Sequence, residues 1–258
     1  MQSPYHPLPH AHLWLISLLI LNVIGLWKPY FSIISSEDIL FSVHIHGISM
    51  FSWIVMLIIQ SWLIKMQHNQ WHRILGIFSF PLFLIIIVSG IFIAIQGLGR
   101  NYDDPLSGMP LGTFYANFAF LLLFAMFYIS GIYNRKDIEL HARYMLATAQ
   151  VFVIASMVRI IIFYFASVND LETLSYYFYV SMLIGTIVPL ALIANDKMKG
   201  KVYPPFVYLA IAYIILIVVG YKVVPDFDWW RSFAAWSLEL DIGSSGRGML
   251  YNTVNPLK

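Results

Sequence analysis

Seven apolar runs follow one another along this chain, at about 12–29, 39–64, 72–98, 113–134, 141–167, 173–194 and 204–222, each close to the ~20 residues that cross a bilayer as a helix. Lipid offers no partner for backbone N–H and C=O groups, so runs of this kind predict α-helices. The ~10-residue alternation of a membrane β-barrel strand is absent from the pattern. The expected architecture is therefore all-α, a polytopic membrane bundle of about seven transmembrane helices, with the bilayer as its first partner. Composition agrees: only 11% of the 258 residues are charged and 60% are hydrophobic, against roughly 25% charged in a soluble domain. Pro81 and Pro189 fall inside runs, where they predict kinks rather than breaks.

The charges flanking the runs predict an orientation. Connections after the second, fourth and sixth runs hold Lys65, Arg73, Arg135, Lys136, Arg143, Lys197, Lys199 and Lys201. Those after the first, third and fifth hold Lys28 and Arg100, beside Glu37, Asp38, Asp103, Asp104, Asp170 and Glu172. The positive-inside rule then puts the N-terminus in the cytoplasm and the C-terminus outside. Residues 1–222 form the transmembrane domain in this reading. Residues 223–258 form an external segment: an interfacial helix with Trp229, Phe233, Trp236 and Leu240 on one face, then a flexible tail at Gly243 to Gly248. The net charge of +2 gives no reason to expect nucleic acid as a partner. The N-terminal residues Met1 to His12 hold no Lys or Arg and do not read as a cleavable signal peptide.

Chemistry is constrained by what the runs lack. There is no cysteine, so thiolate metal sites and iron–sulfur clusters are excluded. All thirteen acidic residues lie in loops, tails or run ends, which argues against a carboxylate proton carrier or a di-iron site. Lys222, near a run end and without an acidic counter-ion, does not suit retinal.

Histidines remain. His72 opens the third run and His141 the fifth, both at the cytoplasmic level and each close to an arginine, Arg73 and Arg143. Two imidazoles at one depth on facing helices predict a bis-His clamp for b-type haem, with the arginines for its propionates. Anchoring at the headgroup level would select the same residues. His44 and His46 point about 200° apart on a helix, so one of them at most faces a given site. His46, beside Gly47, is the better candidate. Arg159 is the one charge well inside a run and marks a functional position, with a carbonyl, Glu37, Asp38, a lipid phosphate or a bound ligand such as a quinone as its partner.

HIHGISMFSWIVMLIIQ, WHRILG and NRKDIELHARYM together resemble a group of uncharacterised bacterial multi-span membrane proteins with His-x-His-Gly, His-Arg-x-x-Gly and His-x-Arg-x-Met motifs, over about residues 40–160. The resemblance implies the bacterial inner membrane. A more remote similarity links the paired histidines to b561-type cytochromes, although the outer side here has no histidine on a second helix. Three functions stay open. The first is electron transfer or quinone-linked redox chemistry with haem b, exchanging electrons with quinone or other redox proteins. The second is a membrane enzyme or carrier holding zinc, copper or iron through His46, His72 and His141. The third is a non-enzymatic transporter, lipid-binding protein or structural subunit of a larger complex.

Overall fold

The computed structural model describes residues 8–35, 39–99, 104–165, 171–240 and 242. His6, Glu37, Asp38, Arg100, Asp103, Asp170 and the tail from Gly243 lie outside the described residues.

Among the described residues the chain is helical throughout, without strands. Six helices are long and apolar enough to cross a membrane: α2 (Phe41–Lys65), α3 (Asn69–Leu98), α4 (Gly108–Tyr133), α5 (Ile138–Phe165), α6 (Glu172–Met198) and α7 (Pro204–Asp226). The chain is an integral membrane helix bundle. An apolar helix of 17 residues, α1 (Ala11–Trp27), precedes them, and a short α8 (Asp228–Glu239) follows. The side chains exposed around the bundle are large and apolar, among them Ile48, Ile77, Phe78, Ile129 and Ile187, as a lipid-facing surface requires.

α5 is the central helix. It packs against α1, α4, α6 and α7, and 67% of its apolar window is buried, against 28–39% for the other five spans. Small residues bring it that close. A Cβ on Gly25 of α1 would stand 3.0 Å from the Ser156 carbonyl oxygen, so glycine sets the α1–α5 distance.

Breaks in helical hydrogen bonding are matched by specific side chains. Pro189 cannot donate to the carbonyl four residues back, Gly185, and α6 turns at Thr186. The freed Gly185 oxygen accepts from Gln150 Nε2 at 2.9 Å. Before Pro189 the helix is interrupted at Thr186, a local break where the sequence predicts only a kink. Around Pro81 α3 stays helical from end to end. Two π-helical turns, Ile161–Phe165 and Tyr213–Val219, lie in α5 and α7. In the second, the Leu216 carbonyl accepts from the Tyr115 hydroxyl at 2.9 Å, and Tyr213 donates to the Met182 carbonyl at 2.8 Å.

α8 forms as expected and docks on the bundle. Trp230 and Ala234 are buried in one core cluster with Ile95, Leu98, Leu111 and Phe114 of α3 and α4. Trp229 and Trp236 point outward, 61% and 52% exposed. The helix is docked through one face and presents its other aromatic face to the surroundings.

Candidate functional site

Lys65, Arg73, Arg135, Lys136, Lys197, Lys199 and Lys201 gather at one end of the bundle, called here the basic end. His72 and His141 meet there. Their ring centres lie 6.2 Å apart with perpendicular planes, although α3 and α5 are separate spans that both pack on α4. Asp137 fixes the start of α5 by accepting from the backbone N–H groups of Glu139 and Leu140. That cap sets the height of His141, one turn further on. His141 Nδ1 lies 2.8 Å from the Gly131 carbonyl oxygen. A carbonyl only accepts, so Nδ1 carries the hydrogen, and a neutral ring then keeps its lone pair on Nε2. A backbone carbonyl holding one imidazole nitrogen is the usual way to orient a metal-ligating histidine. His72 Nδ1 is buried and without a hydrogen-bond partner, as is Gln60 Oε1 beside it. Gln60 Nε2 donates to the His72 carbonyl.

Of the two arginines expected to serve this pair, Arg73 is exposed. Arg143 is not open to a ligand, which corrects the expectation. Its Nε and Nη2 donate to Asp196 at 2.8 and 2.7 Å, Nη1 is paired with Glu139, and the guanidinium stacks 3.8 Å over the Tyr203 ring. Burial raises the Tyr203 hydroxyl above its ordinary value, with the negative charge of Glu139 adding to it. Asp196 is fully buried, so Arg143 neutralises it and ties α5 to α6.

His46 and Arg159 meet elsewhere. Both line a cavity of about 320 Å³ walled mainly by α2, α3, α4 and α5, with Asn117 and Thr113 as further polar groups among mostly apolar walls. That is the size and character of a small-molecule site. His46 Nδ1 is 3.0 Å from Ser89 Oγ. Arg159 Nη1 donates to the Ala155 carbonyl at 2.7 Å; its other N–H groups have no partner among the described residues. Glu37 and Asp38, considered as partners from sequence, are outside those residues. His44 turns away: its Nδ1 lies 2.8 Å from the Tyr30 hydroxyl. Burial pushes that phenol above its ordinary value, so it stays protonated.

Seventeen residues of α3 separate His72 from Ser89, about 26 Å along the helix. His46 therefore belongs to a different station from His72 and His141, and no group of three His, Cys, Asp or Glu side chains able to hold a metal occurs among the described residues. Nothing in the sequence singled out Ser89, which lies against His46, or Asn117 on the cavity wall. Only a known α2–α3 register would have revealed the first.

The fold and these two stations define a polytopic helical membrane protein with a largely apolar cavity at one level and an imidazole pair at another. No protein-family model, curated protein or solved structure matches the chain.

Proposed function

We propose that the chain is a seven-span redox protein of the bacterial inner membrane in which His72 and His141 hold b-type haem and the His46–Arg159 cavity takes a quinone-class partner. The observation that carries the haem seat is the 6.2 Å separation of the two rings. Two metal–nitrogen bonds of about 2 Å, extended roughly 1.1 Å to each ring centre, span about 6 Å. The donor set fits as well: His141 is held through Nδ1 with Nε2 left to ligate, and the buried Nδ1 of His72 has no partner of its own. Haem bound there would supply one-electron chemistry. The chain itself supplies a His141 imidazole held by the Gly131 carbonyl, a His72 whose backbone carbonyl accepts from Gln60, an exposed Arg73 next to His72, and a cavity walled by apolar side chains. A simple metal site through His46, His72 and His141 is disfavoured because His46 lies at the far station.

Seven spans are supported by α1 touching both levels of the bundle. His12 near its start accepts from Lys65 at 3.3 Å, and Lys28 just past its end donates to the Phe163 carbonyl at 2.8 Å. The gathering of lysine and arginine at one end supports a cytoplasmic basic end.

The test is the absorption spectrum of the full-length protein purified from haem-replete cells. A Soret band with a reducible α-band is expected, lost in His141→Ala and in His72→Ala. Colourless wild-type protein overturns the haem reading and leaves the transporter or subunit reading in its place.

A further inference from the structure

The cavity on the His46 side has a hydrogen-bonding polarity that selects among lipophilic ligands. Ser89 Oγ lies 2.6 Å from the Ile85 carbonyl oxygen and 3.3 Å from that of Ile86. A hydroxyl has one hydrogen, and both of these neighbours only accept, so that hydrogen is committed to the helix backbone. The contact from Ser89 Oγ to His46 Nδ1 therefore runs the other way, with the ring donating. A second cation beside Arg159, with no carboxylate among the residues lining the cavity, would be uncompensated at low dielectric, so the ring is neutral. Its Nε2 is then a bare lone pair, without a partner among the described residues.

Arg159 has the opposite character. One of its N–H groups goes to Ala155, and the rest are donors only. Asn117 and Thr113 can each donate or accept, so the groups of fixed polarity are one acceptor, His46 Nε2, and one set of donors, Arg159, within walls built from Met50, Ile86, Phe120 and Phe124. A ketone, a quinone or a fatty-acid carboxylate satisfies Arg159 and leaves His46 Nε2 unmatched. A ligand carrying a hydroxyl as well satisfies both.

We infer that this cavity is selective for a lipophilic hydroxyarene, a hydroquinone or phenol, whose O–H donates to His46 Nε2 while a second oxygen or the ring face lies against Arg159. The inference rests on the cavity being a ligand site and sharpens the ligand class proposed above; it does not depend on haem.

The experiment compares three probes on full-length protein in nanodiscs under anaerobic, reducing-agent-controlled conditions: a decyl-substituted 1,4-hydroquinone, its quinone and its dimethyl ether, by isothermal titration. The wild-type chain is expected to bind the hydroquinone at least ~10-fold more tightly than either other probe, because each leaves a buried acceptor unsatisfied. His46→Leu should reduce hydroquinone affinity to that of the ether. Gly97→Leu provides an independent check. A Cβ on Gly97 meets nothing within 4 Å and Gly97 lines the cavity, so the leucine side chain enters open space and should abolish hydroquinone binding. Equal or tighter binding of the quinone or ether by wild type overturns the inference, as does hydroquinone binding that survives Gly97→Leu. Haem-free protein that still selects the hydroquinone removes the redox reading alone. Haem-loaded protein with no preference removes this inference alone.

Discussion

At the residue scale, the strongest constraint on this molecule is one the sequence kept hidden. Arg143 and Asp196 are 53 positions apart, each at a span end, and read singly each looks like an ordinary headgroup-level charge. Packing of α5 against α6 and α7 buries both, with side chains 3% and 0% exposed. A buried pair of this kind is costly to break from one side, because the remaining charge has no solvent. Asp196→Asn and Arg143→Met are each expected to lower stability by about 3–5 kcal/mol, read as an earlier thermal unfolding transition in detergent. The double variant Arg143→Met/Asp196→Leu should recover most of that loss; no recovery would mean the pair is more than an electrostatic lock. Gln150 makes a smaller, uncharged version of the same argument. Gln150→Leu leaves the Gly185 carbonyl, freed by Pro189, without its donor, at a cost of about 1–3 kcal/mol.

At the scale of elements, hydropathy located the six long apolar helices because lipid exposure and helix length are properties of a single segment. The face each helix turns inward is a property of pairs of segments, and there the sequence was only partly legible. His72 and His141 could be placed at one level from charge patterning alone. That they stand 6.2 Å apart depends on α4 seating both neighbours. The His46 cavity was less visible still, since nothing in the apolar pattern of α2, α3, α4 and α5 says that their packing leaves space. α8 shows the same limit. Its Trp229, Phe233, Trp236 and Leu240 stripe is legible as an amphipathic face, and Trp229, Trp236 and Leu240 are exposed, but nothing in the pattern says that Trp230, Ala234 and Ser237 dock on the bundle. Trp230→Ala is therefore expected to destabilise by about 3–5 kcal/mol and to release α8 to proteolysis. Trp229→Ala should leave stability within ~0.5 kcal/mol. Equal effects of the two would place the docking face wrongly.

At the scale of the whole molecule, the charge asymmetry between the two ends ties both stations to sides of a membrane. If the basic end is cytoplasmic, the imidazole pair sits at the cytoplasmic level, and the cavity opens in the opposite half of the bilayer. The absence of cysteine makes this directly measurable with single introduced thiols. Ser107 precedes α4 at the end opposite the basic residues, and Lys199 follows α6 at the basic end. Ser107→Cys is expected to react with a membrane-impermeant maleimide added to intact spheroplasts. Lys199→Cys should react only after permeabilisation. His10→Cys decides the seventh span: α1 runs between Lys65 and Phe163, contacts at the two opposite ends, so the thiol should behave like that at 199. Labelling of His10→Cys from outside would put α1 in the wrong register across the bilayer and reduce the count to six. Reversed labelling of all three would keep the bundle intact and exchange its sides, moving the imidazole pair to the external face and the cavity to the cytoplasmic half.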